Sequence, residues 1–232
     1  MKSLFGIYLE KDEVVQIAIC VIAISFAFSL ALARPEGLLG EPRQFFVFFV
    51  LSLVTVGSGF ILHEMGHKLV AIHYGAPARF RMWVQGLVFM LLTSLFGVLF
   101  AAPGAVYIYS NKITKEENGI ISIAGPLVNV ALVFVFLGLA KFAPLPFHFA
   151  FIPYTLDAWH FGASMNLVLG LFNMIPAYPL DGSKVLAWKK SVWIVMTLFL
   201  LFFASSLLGF LYVILWGLMM LGFMALSKLA FG

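Results

Sequence analysis

Long apolar runs separated by short polar breaks set the pattern of this chain, and most of the runs are as long as a bilayer is thick. At about twenty apolar residues per crossing, the candidate spans are 14–33, 45–74, 84–102, 119–142, 159–177 and the charge-free run 191–227. The last is long enough for two helices, with a turn near Ser205, Ser206 and Gly209. Two short stretches follow a different period. Arg79-Phe80-Arg81-Met82 and Ala105-Val106-Tyr107-Ile108-Tyr109 alternate residue by residue and predict strands. They flank the piece 84–102, which contains Gly86 and Gly97 and ends at Pro103-Gly104.

The basic residues orient these pieces. Lys68, Arg79 and Arg81 follow residues 63–67 of the second piece, and Lys184, Lys189 and Lys190 follow the piece 159–177, so both loops are expected on the cytoplasmic side. An even number of crossings must then separate them, whereas three apolar pieces lie between. One piece therefore re-enters or lies at the interface, and 84–102 fits best. Irregular backbone at membrane depth is tolerated where protein covers it or a wet cavity lies beside it. The expected architecture is an all-α polytopic membrane protein with about six transmembrane helices, both termini cytoplasmic beside Lys2, Lys11 and Lys228. A re-entrant or β-hairpin insertion follows the second helix.

Composition agrees with this reading. The chain is 63% hydrophobic and 10% charged, with mean hydropathy +1.07, whereas about a quarter of the residues of a soluble domain are charged. The formal net charge of +4 comes from cations in short loops, which reports orientation in a lipid bilayer and points to no nucleic acid. Cys20 is the sole cysteine, which excludes an intrachain disulfide and a cysteine-based zinc ribbon. Residues 1–13 carry Glu10, Asp12 and Glu13 beside Lys2 and Lys11, unlike the basic start of a signal peptide. Ala31-Leu32-Ala33 has the form of a cleavage site, but the apolar run from Val14 is longer than a signal peptide uses, so 14–33 reads as a retained helix. A single membrane-embedded domain over 1–232 is expected.

Inside the piece 45–74 lies His63-Glu64-Met65-Gly66-His67. A charged residue in mid-membrane costs about 2.5–3.5 kcal/mol on insertion scales, so such a group needs a partner. Residues four apart on a helix are offset by about 40° and one turn, which lets His63 and His67 each give a nitrogen to one zinc ion. Glu64, about 100° round the helix, can reach a water there and take its proton as general base. Polar residues that merely bond neighbouring helices are the plainer reading, and the cost of burying three of them argues against it.

A catalytic zinc takes three protein ligands and leaves one position open. Glu10, Asp12, Glu13, Glu36, Glu41, Glu116 and Glu117 lie in polar termini or loops. His73 is about 280° round the helix from His63 and faces away. His148 belongs to a proline-rich aromatic loop, and Asp157 and His160 fall at the opposite membrane face, where an interfacial role is the simpler account. Elimination leaves Asp181. Pro176, Pro179 and Gly182 break the helix around it and let it turn back toward the core, although Asp-Gly after a proline is by itself an ordinary turn. Two imidazoles and a carboxylate suit zinc best, and cobalt or iron would also fit.

Taken together these residues resemble the site-2 protease family of intramembrane zinc metalloproteases. The family pairs His-Glu-x-x-His on one core helix with Asn-x-x-Pro and Leu-Asp-Gly on another, and Asn173, Pro176, Leu180, Asp181 and Gly182 match in order and spacing. Ala124-Gly125-Pro126-Leu127-Val128-Asn129 is similar to the family's Gly-Pro-x-x-Asn element on the middle core helix. The resemblance covers about 45–190 and implies a three-helix catalytic core, flanked by 14–33 and by a C-terminal pair over 191–229. It implies one Zn2+ held by His63, His67 and Asp181, with Glu64 as base. It also implies that Asn173 contacts the substrate backbone or the developing oxyanion; without it, an interhelical contact is an equal reading. Gly125, Pro126 and Asn129 are taken as packing and capping residues. The stretch before Gly125 is longer and more apolar than in compact relatives, and could form an embedded hairpin that admits substrate.

The function expected is hydrolysis of a peptide bond within or near a transmembrane segment of another protein. Such a segment must be unwound first, and an edge strand near 80–84 or 105–109 could hold it extended. A membrane metal transporter or a zinc-binding scaffold are the alternatives. A transporter usually shows repeated halves, which this chain lacks, and a scaffold has no need of Glu64.

Overall fold

The computed structural model describes residues 2–4, 7–99, 103–110 and 112–231; of 2–4, 7–8 and 228–231 it describes only the backbone. Residues 100–102, the end of the piece 84–102, lie outside the described residues, as do the side chains of Lys2 and Lys228. A hairpin of β1 (Lys2–Leu4) and β2 (Ile7–Leu9) precedes helix α1 (Lys11–Gly40). This helix breaks at Arg34, whose φ of 58° is left-handed. Pro35 follows, and a residue before proline is disfavoured in the helical region, so the apolar span ends where the sequence predicts.

The second piece forms one rod in three parts: α2 (Pro42–Ser52), a π-helical turn (Leu53–Gly57) and α3 (Ser58–His73). β3 (Ala78–Met82), α4 (Val84–Ser94) and β4 (Gly104–Ile108) follow. Beyond them come α5 (Lys115–Phe142), the two-residue strands β5 (Pro146–Phe147) and β6 (Leu156–Asp157), and α6 (Ala158–Asn173). The chain ends with α7 (Asp181–Trp188), α8 (Lys190–Leu207) and α9 (Phe210–Phe231). A capping box starts α5, in which Thr114 N–H donates to Glu117 at 2.7 Å and Glu117 N–H to the Thr114 hydroxyl at 3.2 Å.

Among the described residues, five helices are long and apolar enough to cross a membrane: Lys11–Gly40, Pro42–His73, Lys115–Phe142, Lys190–Leu207 and Phe210–Ser227. The expected piece 159–177 forms α6, whose 16 residues fall short of those five and are followed by the irregular segment 174–180. α4, at 11 residues, rises only about 16 Å at 1.5 Å per residue, roughly half the hydrocarbon thickness. It packs on α1.

β3 and β4 pair antiparallel, with Arg79 opposite Tyr107, Phe80 opposite Val106 and Arg81 opposite Ala105. Trp83 N–H to the Pro103 carbonyl (2.9 Å) and Tyr109 N–H to the Pro77 carbonyl (2.8 Å) bracket the ladder. Hydrogen-bonded pairs alternate along such a ladder, so Arg79, Arg81, Ala105 and Tyr107 bond across it, while Phe80, Met82, Gly104, Val106 and Ile108 turn their backbone groups outward. The outer edge of β3 is covered by α1: Phe80 N–H donates to Glu13 and Met82 N–H to Gln16, each at 2.9 Å.

The acidic residues at the start of α1 also meet Lys68, Arg79 and Arg81. Glu10 pairs with Arg79 at 2.5 Å and Asp12 with Arg81 at 3.0 Å, both at the surface. Glu13 pairs with Lys68 at 2.5 Å, both buried. Lys68, expected as a loop cation, is thus an internal clamp between α1, α3 and β3, and losing one partner of such a pair costs about 3–5 kcal/mol. α5 lies at the centre of the bundle against α3, α6 and α7. Indole N–H groups of Trp193 and Trp216 take the carbonyls of Met174 (2.8 Å) and Leu171 (2.9 Å), satisfying the end of α6 before the chain turns to Asp181.

Candidate metal centre

His63 and His67 lie one turn apart on α3 and present their Nε2 atoms 3.0 Å from each other. Asp181, the first residue of α7, brings Oδ2 to 3.4 Å from His63 Nε2 and 3.0 Å from His67 Nε2. All three side chains are buried, and the three candidate ligand atoms lie within 4.8 Å of one another. Three ligand atoms held tetrahedrally at about 2.0–2.1 Å from zinc would stand about 3.3 Å apart, so the spacing fits.

Proton positions lead to the same conclusion. His67 Nδ1 is 2.7 Å from the carbonyl oxygen of Ile121, which can only accept, so Nδ1 carries a proton and, in the neutral ring, Nε2 is the lone pair. His63 Nδ1 is 2.6 Å from Asn129 Oδ1, and with that oxygen facing it the consequence is the same. With both rings neutral, two lone pairs and a carboxylate oxygen converge in a buried site, an arrangement that a cation relieves. Gly125 leaves room beside them: a Cβ there would stand 2.5 Å from both Nε2 atoms.

Glu64, next to His63 in the chain, is buried as well. Its Oε2 accepts the Val106 N–H at 2.8 Å, from the outward edge of β4. The candidate base and the hairpin are thereby joined. A cavity of about 390 Å3 opens at this junction, lined by His63, Glu64, His67, Asp181, Asn173 and the whole of β4. Asn173 gives one amide N–H to the Leu169 carbonyl at 3.1 Å. Lys184, one turn beyond Asp181, places Nζ 3.6 Å from its Oδ1.

The residues set aside in the sequence lie elsewhere. His73 is exposed beside Tyr74. His148, Asp157 and His160 sit in the loop before α6 and at its start, where Asp157 caps the helix. Gly125 and Asn129 need correcting, since they do more than pack and cap: Asn129 orients a candidate ligand, and Gly125 clears the space beside both imidazoles. The Gly-Pro-x-x-Asn element was visible in the sequence, but nothing local tied it to His63. Val106 carried only the signal of alternation, and that signal does not say which edge is free.

Comparison with known proteins adds independent findings. The chain is 43% identical over 192 residues to Putative zinc metalloprotease MJ0611 of Methanocaldococcus jannaschii, covering 82% of this chain and 91% of that one. It is 34% identical over 140 residues to Zinc metalloprotease MJ0392 of the same organism, covering 60% of this chain and 33% of that one. With Putative zinc metalloprotease sll0528 of Synechocystis it shares 30% over 197 residues, covering 82% and 43%. No family model and no solved structure matches the chain.

Proposed function

The chain belongs to the site-2 protease family of zinc metalloproteases, and from that premise we propose that it is an intramembrane endopeptidase, cutting a peptide bond within or near a transmembrane segment of another protein. The observation that carries this reading is the joining of a buried His63–His67–Asp181 cluster to a strand edge through Glu64, within a bundle of apolar helices.

In this reading His63, His67 and Asp181 hold one Zn2+. Bound there, the metal supplies a Lewis acid that makes a water acidic near neutral pH and polarises a carbonyl. Glu64 takes the proton of the attacking water. Asn173, with an amide N–H beyond the one given to Leu169, donates to the carbonyl oxygen as it becomes negative. The substrate lies extended along β4, the edge that α1 leaves uncovered, with its backbone beside Glu64. That edge supplies the hydrogen bonds a helix must give up when it unwinds in the membrane.

The whole of 1–232 acts as one membrane-embedded domain, with the catalytic core at 45–190 and the flanking helices 14–33 and 191–229 against lipid. Its cavity opens to the cytoplasm, on the side of Arg79, Arg81 and Lys184, and substrate enters laterally between the flanking helices. The test is cleavage of a panel of single-pass membrane proteins by the detergent-purified chain, beside Glu64→Gln, with zinc quantified in both. Cleavage by the parent alone, with about one zinc per chain in each, is expected. Zinc without cleavage of any substrate would transfer the reading to a transporter or scaffold, and absence of metal from both would undo the site.

A further inference from the structure

Behind His63 runs a chain of two buried amides that ends on backbone. Asn129 Oδ1 meets His63 Nδ1 at 2.6 Å, and Asn129 Nδ2 donates to Asn166 Oδ1 at 3.0 Å. Asn166 Nδ2 in turn donates to the carbonyls of Gly162 at 2.9 Å and Thr55 at 3.3 Å. Both side chains are fully buried, at 0% exposure. Thr55 belongs to the π-helical turn before α3, and Asn166 reaches it because Gly59 has no Cβ, which would collide with its amide oxygen.

An asparagine amide can present either its oxygen or its nitrogen to a partner, so Asn129 alone does not decide where the proton of His63 resides. Turned over, it would offer an N–H to Nδ1 and drive the proton to Nε2, among the converging lone pairs. Asn166 prevents this. Its NH2 faces two carbonyls that can only accept, so reversing it would set oxygen against oxygen in a fully buried site. Its oxygen must therefore face Asn129, whose NH2 must face Asn166, whose own oxygen is left for His63. Direction is imposed at the far end of the chain and passed inward.

We propose that Asn166 is a positioning residue that holds His63 in the tautomer with Nδ1 protonated and Nε2 free for the metal. His67 needs no such device, because Ile121 fixes its tautomer directly. The inference rests on the zinc site proposed above.

The test compares the full chain with Asn166→Leu and Asn166→Asp in detergent, by zinc competition against a chromophoric chelator and by 15N NMR of the histidine rings without metal. Asn166→Leu is expected to weaken zinc binding about 10–100-fold, the usual cost of losing an outer partner of a ligand, and to shift His63 alone toward the Nε2-protonated form. Asn166→Asp, neutral in an apolar core, keeps an acceptor and an O–H donor and is expected to restore both readouts. Parental zinc affinity together with an unshifted His63 in Asn166→Leu overturns the inference, even if thermal stability falls, because that would be a packing role only. If Asn166→Leu does not fold, Gly59→Ala, which displaces the amide without removing it, is read by the same two criteria. A parent chain that binds no zinc defeats the metal reading, and the ring spectra then decide the role of Asn166 on their own.

Discussion

Two regions of this molecule each gather two histidines and an aspartate, and only one of them has the form of a metal site. His63, His67 and Asp181 are 4%, 8% and 8% exposed and aim three acceptor atoms at one point. His148, His160 and Asp157 stand at the start of α6, where the His160 side chain is 58% exposed. There Asp157 accepts the N–H groups of Trp159, His160 and Leu145 at 3.1, 2.9 and 2.7 Å, and His148 faces Thr155 at 3.3 Å. Partial burial opposes ionisation of Asp157, but these N–H groups outweigh it and hold the carboxyl below its ordinary range. The carboxylate works as a helix cap and is not free to ligate.

Cavity size does not separate the two regions. About 680 Å3 opens beside Asp157 and His160, more than the 390 Å3 beside Glu64. What separates them is whether the outer bonds of each ligand aim its lone pair inward. His63 and His67 have their second nitrogens engaged by oxygens, the Asn129 amide oxygen and the Ile121 carbonyl, whereas His160 turns Nδ1 to its own helix cap at 3.2 Å.

Substitutions can sharpen or break this contrast. The largest effect is expected from Asp181→Ala: zinc affinity, measured by chelator competition, should fall beyond the roughly 10–100-fold that loss of an outer partner causes, with cleavage lost alongside. Asn173→Ala should leave zinc in place and lower kcat by about 10²–10³, the range for one oxyanion donor; an unchanged kcat would return Asn173 to a packing role. Val106→Pro removes the N–H that holds Glu64 and, by the register, no bond of the β3–β4 ladder. A hydrogen bond to a charged group is worth about 1.5–3 kcal/mol, so kcat should fall about 10–100-fold with hairpin and zinc content intact. Tyr107→Pro, which breaks the ladder, should disorder the hairpin. Smallest is Asp157→Ala, expected to cost about 0.5–2 kcal/mol of stability through the lost cap and no zinc. A loss of zinc in that variant would erase the distinction between the two regions.

Much of the site was legible because its signals are local. The spacing of His63 and His67 places both on one face of any helix, and the prolines around Asp181 mark a break that can turn inward. Alternation at 79–82 and 105–109 announced the hairpin, and the loop cations carried the expectation that one piece does not cross. Lys68 supported that count while standing inside the protein on Glu13, so its charge was read for a loop it does not occupy. Asn166 gave no signal at all, since its partners Asn129 and Thr55 lie 37 and 111 residues away along the chain.

Residue spacing alone determined that this is a helical membrane protein with a two-histidine, one-glutamate motif buried in its second span, because helical period and bilayer thickness act on consecutive residues. The tertiary structure decided which aspartate closes the cluster, which strand edge holds Glu64, and which nitrogen of His63 is free. Those choices depend on hydrogen bonds between segments far apart in the chain, and a hydrogen bond has a direction that neither composition nor period encodes.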